Sequence, residues 1–435
     1  MAYLGAPVAG LLPLLIALAL VEAANAGGPP ATAVDAWWAV GGVVLGGLLG
    51  EVVAHLLARR RHLIDRADQV VQMVTLGAFA ALCLGTGWVR LVPTHTLALA
   101  PWFLLQVLWW WSMPVALGGP WTRRGFLVHQ LRFGLMPLAL LLPIADLCDY
   151  LGRLWRIDWW IDTHLGRGAN IAGSFLLMAG ILLLLPAVLV RLWGARPLAD
   201  RGLAERLDDE CRRLGVPVAG VLAWPTEGGR VHNAVVIGLL PRLRWVLITD
   251  DLLRDLGEDG VRAVLGHELG HARHRHLVLY LLFAAAGGMA SWWATTPLMD
   301  LLGDLPGASA VEPQIRQALV AILLLAVVWR GLFGVVSRLC ERQADLVGLE
   351  ATGDPRHLEE ALLTVARGSG TDPAAPSWRH FSIADRIAFI RAVAADPALG
   401  VRHHGRVRWL GAILVLATAA LGLTLLASGA FAPPT

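Results

Sequence analysis

The chain has no lysine, few charges of either sign and no paired cysteines, and each lack removes a class of protein. All side-chain basicity outside histidine is arginine, and a net charge of +3 is too small for a dedicated nucleic-acid surface. Charged residues make up 16% of the 435, apolar ones 56%, and mean hydropathy is +0.60, which excludes an ordinary soluble enzyme. Cys83 and Cys148 fall in apolar runs, and Cys211 and Cys340 in polar stretches. Neither a disulfide framework nor a cysteine metal site is indicated. No repeat of solenoid length occurs.

What is present is a series of apolar runs long enough to cross a bilayer. They lie near 4–21, 36–57, 69–89, 96–118, 126–148, 170–193, 277–298, 315–336 and 407–428, and predict about nine transmembrane helices in a mainly α, polytopic protein. Arg59, Arg60, Arg61 and Arg66 follow the second run, Arg123 and Arg124 the fourth, and both long polar stretches are arginine-rich. The connections near 22–35 and 299–314 carry Glu22, Asp35, Asp300, Asp304 and Glu312 without arginine. The charge rule therefore puts both polar stretches on the cytoplasmic side, against a mild dissent from Arg153, Arg156 and Arg167. The expected organisation is a six-span region over 1–195, a first catalytic part over 196–276, two transmembrane helices over 277–336, a second catalytic part over 337–405 and a last transmembrane helix over 406–435.

Ala24-Asn25-Ala26 is like a signal cleavage site, but no basic residue precedes the apolar segment, so an anchoring first helix is expected. Trp37-Trp38, Trp109 to Trp111, Trp159-Trp160 and Trp292-Trp293 read as interface anchors. Gly42, Gly46 and Gly50 have the spacing of a tight helix contact, with Glu51 and His55 beside them. Three readings stay open for that polar pair: a chamber lined also by Arg132, helix-to-helix bonding, or a second metal site.

The chemistry is concentrated at His267-Glu268-Leu269-Gly270-His271. On a helix this spacing stacks both imidazoles on one face, where they can hold one zinc ion while Glu268 works on a water as general base. Such a site needs a third protein ligand. Glu341 offers it, on a helix expected to leave the eighth run, with Asp345 one turn on to orient a ligand imidazole. The alternative for Glu341 is a solvated charged helix end. His274 and His276 read as a polar helix-end cluster beside Arg273 and Arg275 rather than as ligands. Around the motif, the pattern predicts a helix at 199–214, strands at 218–223, 231–238 and 244–249, and a motif helix at 261–276 buried along Val261, Val264, Leu265 and Leu269. An exposed edge of the 231–238 strand could take an extended peptide by backbone pairing. Asn233 there either fixes a substrate amide or is a plain turn residue.

These segments resemble the integral-membrane zinc metallopeptidases of the CaaX prenyl protease and HtpX heat-shock protease type, across roughly 198–395. The resemblance rests on the HExxH run 267–271, on Ser337-Arg338 leading to Glu341 and Ala344-Asp345 (the ExxxD part), on Asn233-Ala234 leading to Leu247-Ile248-Thr249-Asp250, and on His380-Phe381-Ser382-Ile383-Ala384-Asp385-Arg386-Ile387. It implies a zincin-like domain with zinc on His267, His271 and Glu341, Asp345 behind a ligand, and substrate backbone held at Asn233 and Ala234. It also implies that His380 and Arg386 steady the tetrahedral intermediate. The family usually has proline after that histidine. Phe381 stands there instead, which predicts a less rigid loop. Ser382 and Asp385 have capping-box spacing, so a helix should start between His380 and Arg386.

The expected function is zinc-dependent endoproteolysis of membrane-associated or misfolded proteins at the cytoplasmic face of a bacterial inner membrane. The partners are then a peptide or protein substrate and the lipid bilayer, with no nucleic acid. The alternative is a membrane sensor or peptide-binding scaffold that keeps the zinc fold with little proteolysis or only self-cleavage.

Overall fold

The computed structural model describes residues 11–427 apart from 28, 61–63, 119–120, 133–140, 165–166, 227–230, 304–315, 318–319, 321–322, 325, 371 and 378. The N-terminal half is helical because its runs are rich in leucine, alanine and valine with few interior breakers. It comprises α1 (Leu11–Gly27), α2 (Ala33–Ala58), α3 (Ile64–Gly85), α4 (Ala100–Leu117), α5 (Arg123–Gln130), α6 (Leu141–Leu154) and α7 (Arg167–Leu192). α2 opens on a capping box in which the Thr32 amide donates to Asp35 Oδ2 at 2.7 Å.

Among the described residues, four helical stretches are long and apolar enough to cross a membrane: Ala33–Ala58, Asp68–Gly85, His276–Leu301 and Ala398–Thr424. Ile16–Asn25 and Leu183–Leu192 are apolar but shorter. The fifth expected span is described as two pieces, α5 and α6, with 133–140 outside the described residues. Most of 304–325, with Asp304, Glu312 and the start of the eighth expected span, also lies outside them.

α2 and α4 approach closely at Gly46 and Gly50 of the expected glycine row, with Gly47 added and Gly42 left out. A Cβ at Gly46 would sit 2.4 Å from Leu105 Cδ2 and one at Gly47 2.7 Å from Leu108 Cδ1, whereas Gly42 faces open space. Glu51 is absorbed in helix-to-helix bonding. It accepts from Ser112 Oγ at 2.6 Å and from both terminal nitrogens of Arg123 at 3.0 and 2.5 Å. His55 turns back to the Glu51 carbonyl. Trp37, Trp38 and Trp292 are exposed, as interface anchors require, but Trp109 is buried and donates to Asp68 Oδ1 at 2.7 Å. The anchor reading is therefore wrong for Trp109: its indole lies between helices because Asp68 needs a donor there.

The second half builds a small α+β unit. β1 (Arg196–Pro197), α8 (Arg201–Arg213), β2 (Gly220–Trp224), β3 (Ala234–Ile237) and β4 (Trp245–Thr249) precede the motif helix α9 (Glu258–Arg273). The sheet order is β1-β2-β4-β3, with β2 and β4 parallel and the outer pairs antiparallel, so β3 is an edge strand. Val221, Val246 and Ile248 from the sheet, Leu207 and Cys211 from α8, and Val261, Leu265 and Leu269 from α9 share one core. Leu265 and Leu269 are fully buried, each worth about 2–3 kcal/mol of transfer free energy. That core seats the motif helix against the sheet.

α9 stops three residues earlier than its pattern suggests. His274 caps it, and Arg275 takes a left-handed φ of 54°, an uncommon conformation for a residue with a Cβ. A new helix, α10 (His276–Gly303), then begins. After the gap, the chain runs through a π turn at Val328–Phe333 into α11 (Gly334–Thr352), then α12 (Pro355–Ser369), α13 (Ile383–Ala395) and α14 (Ala398–Ala427). Ser382 caps α13 as expected, its Oγ accepting from the Asp385 amide at 3.0 Å.

Candidate active site

The site exists because α9 and α11 cross almost backbone to backbone. A Cβ at Gly270 would lie 2.7 Å from Ala344 Cα, and one at Gly266 2.6 Å from Ala351 Cβ, so both positions require glycine. This brings Glu341, 6% exposed, across from the motif histidines. His267 Nε2 lies 3.6 Å from Glu341 Oε2, His271 Nε2 lies 3.7 Å from Glu341 Oε1, and the two Nε2 atoms are 3.4 Å apart. Four-coordinate zinc with ligand bonds near 2.0–2.1 Å needs donors roughly 3.3–3.5 Å from one another, so these residues fit the ion. Among the described residues, they are the one group of three such donors close enough to hold a metal.

The supporting contacts orient the donors. His267 Nδ1–H donates to Asp345 Oδ1 at 2.9 Å, which leaves Nε2 with its lone pair toward the site. Asp345 is fully buried and is held in turn by Arg386, through Nε at 3.0 Å and Nη2 at 2.5 Å. Burial keeps His271 well below its ordinary value and therefore neutral. Burial works against ionised Glu341, yet the charge and hydrogen bond of His380, with the two motif histidines, hold it well below the usual carboxylate range.

Glu268 points the other way, toward the sheet. Its Oε2 accepts from the Val236 amide at 3.0 Å, on the outer edge of β3. Burial pushes its carboxyl up to about 7, against the pull of His267 and with Glu341 adding to the rise. A base tuned near neutrality suits general acid–base work. On the same edge, Asn233 turns its Oδ1 to the Ala234 amide at 2.9 Å, while its main chain pairs with Thr249 of β4. His380 reaches in through Nδ1, 3.1 Å from Glu341 Oε2, and Arg386 Nη1 comes within 3.8 Å of that atom.

His267, Glu268, His271, Glu341, Asp345, His380 and Arg386 thus lie around one place, and Asn233 and Ala234 lie on the strand edge that Glu268 touches. The polar cluster expected at the end of the motif helix is present, but buried: His276 is 1% exposed, and its Nδ1 meets His271 Nδ1 at 2.8 Å. The break at His274 and Arg275 turns it back onto the motif. Gln343, which no motif reading had marked, lies behind it at 2.9 Å.

With the geometry in hand, comparison with known proteins is decisive. A family profile described as Peptidase family M48 matches residues 197–394. A "Protease HtpX homolog" of Paenarthrobacter aurescens is 30% identical over 241 residues, spanning 52% of this chain and 80% of its own. The chain belongs to peptidase family M48. It is a metalloprotease. Further M48 relatives are HtpX homologues of Gemmatimonas aurantiaca, 28% identical over 52% of this chain and 83% of the relative, and of Aeropyrum pernix, 29% identical over 60% and 85%. The crystal structure of S. mikatae Ste24p superposes with a TM-score of 0.52 at 15% identity, covering 81% of this chain and 99% of that one. The shared fold therefore reaches beyond the M48 segment into the N-terminal helices.

Proposed function

We propose that the chain is a zinc endopeptidase that cuts membrane-associated or misfolded proteins at the cytoplasmic face of a bacterial inner membrane. The observation that carries this reading is the convergence of His267, His271 and Glu341 beneath a strand edge that Glu268 already touches. Zinc held by these three would polarise a scissile carbonyl and lower the pKa of a bound water.

The protein's own residues supply the rest. An extended substrate pairs along the outer edge of β3, so its backbone rather than its side chains is read, and Asn233 and Ala234 align it. Substrate entry releases Glu268 from the Val236 amide. Its carboxylate takes a proton from the attacking water and passes it to the leaving amine. His380 and Arg386, on the rim beside Glu341, donate to the oxyanion that develops on the carbonyl. The arginine-rich polar stretches, by the charge rule, face the cytoplasm and admit substrates there.

The test compares detergent-purified wild type with Glu268→Gln for zinc per chain and for cleavage of casein. About one zinc in both, with turnover reduced roughly a hundred- to ten-thousand-fold in the variant, is the expected result. Lack of zinc in the wild type, or equal cleavage by both proteins, would sink the reading.

A further inference from the structure

A hydrogen-bonded chain runs from the motif to the C-terminal membrane helix. His271 Nδ1 meets His276 Nδ1 at 2.8 Å, His276 Nε2 meets Gln343 Oε1 at 2.9 Å, and Gln343 Nε2 meets His404 Nδ1 at 2.8 Å. His276 and Gln343 are buried, and His404 lies on α14, within the stretch Ala398–Thr424 that is apolar and long enough to span a bilayer.

Proton positions along this chain follow from one amide. Gln343 Nε2 is a donor only, so His404 Nδ1 must accept, and Gln343 Oε1 is left facing His276. An acceptor there puts the proton of neutral His276 on Nε2. Its Nδ1 then accepts, so His271 must carry its proton on Nδ1. That leaves His271 Nε2 bare, on the side where it faces His267 Nε2 and Glu341. The reversed amide would propagate the opposite pattern and put a proton on the very nitrogen that must bind metal.

We infer that Gln343 and His404 are positioning residues that act through His276 to fix the tautomer of His271, so that a membrane-spanning helix sets the metal affinity of the site. The helix is well placed for this. The residue before His404 pins α14 to α11, His403 Nε2 donating to the Leu339 carbonyl at 2.9 Å, and one turn on Val407 packs with Leu279, Phe283 and Val336. His274 adds a second imidazole against His404, with ring centroids 5.0 Å apart. Glu341 and His267 are oriented from α11 and α13, whereas this chain gives His271 its own support from α14. The inference rests on the proposed ligand role of His271, but the tautomer it assigns can be read without metal.

The experiment uses the full chain in detergent or nanodiscs, with 15N-labelled histidine, and zinc affinity measured against a competing chelator. In metal-free wild type, His271, assigned by loss of its signals in His271→Ala, should show a protonated Nδ1 and a bare Nε2. Gln343→Leu and His404→Leu should weaken zinc binding about 10–100-fold and mix the tautomers. Gln343→Glu, which keeps an acceptor toward His276, should stay within about threefold of wild type. A protonated Nε2 on His271 in the wild type overturns the inference without any variant. So do wild-type affinity and tautomer in Gln343→Leu, or an equal loss in Gln343→Glu. Zinc retained by His271→Ala would overturn the ligand role instead, and the spectra would still decide the tautomer.

Discussion

Arg386 grips both oxygens of Asp345, and Asp345 Oδ1 in turn takes the Nδ1 proton of His267. Burial opposes ionisation of that carboxyl, yet Arg386 and His267 bring it down to about 2. Removing the guanidinium leaves a buried anion uncompensated, so Arg386→Ala should cost about 3–5 kcal/mol in a denaturation midpoint series. Asp345→Asn should lower zinc affinity about 10–100-fold in a chelator competition, because the amide is a weaker anchor for the His267 tautomer.

The crossing of α9 and α11 should be intolerant of added bulk. Gly270→Ala pushes a methyl onto Ala344 Cα and its carbonyl oxygen, at 2.7 and 3.1 Å, and backbone cannot move aside as a side chain can. We expect a loss of about 1–3 kcal/mol together with reduced zinc content, since Glu341 is displaced with the helix. Gly288→Ala on α10, where a Cβ meets nothing within 4 Å, should leave the melting temperature unchanged or slightly raised.

Acid should destabilise the fold partly through His274. Burial, with help from His276 and His404, pushes its pKa down to about 4 from an ordinary 6.5. Between those values the unfolded chain binds the extra proton, so stability rises with pH across this window and is lost as pH falls through it. After allowance for solvent screening of a half-buried ring, the contribution is about 1 kcal/mol. Thermal melts from pH 7 to 4 should therefore fall less steeply for His274→Gln than for wild type, and identical slopes would remove His274 from the account.

Phe381 is held, although the loop it occupies lacks the expected proline. The Arg342 guanidinium carbon sits 3.7 Å from its ring centroid and Arg338 lies 5.8 Å away on the same ring. A stack of this kind is worth about 0.5–2 kcal/mol and can do what proline does by restricting the backbone beside His380. Phe381→Ala should lower kcat about tenfold or less with zinc content intact, and Phe381→Pro should recover it. Equal turnover in all three proteins would mean that the stack does not position His380.

Much of this molecule was readable in local pattern. Strands expected at 218–223, 231–238 and 244–249 appear at Gly220–Trp224, Ala234–Ile237 and Trp245–Thr249, because alternation and bracketing breakers act over a few residues. His267 and His271 share a face for the same reason. His380 and Arg386 were legible only through family resemblance, since no local rule ties them to a motif more than a hundred residues earlier. The motif helix was expected to run to 276 but ends at Arg273, because a positive φ at Arg275 stops the helical count.

Residue order was enough to say which segments are helical, which face of α9 carries imidazoles and which donor types could bind a metal, since all of these depend on neighbours within two turns. It was not enough to say what meets that face. The pairing of Glu51 with Arg123, the burial of Trp109 and the chain from His271 to His404 each depend on where distant helices pack. So does the site itself. Glu341 becomes a third donor because glycines on α9 let a second backbone come close enough to close the triangle, and only the packed structure holds that distance.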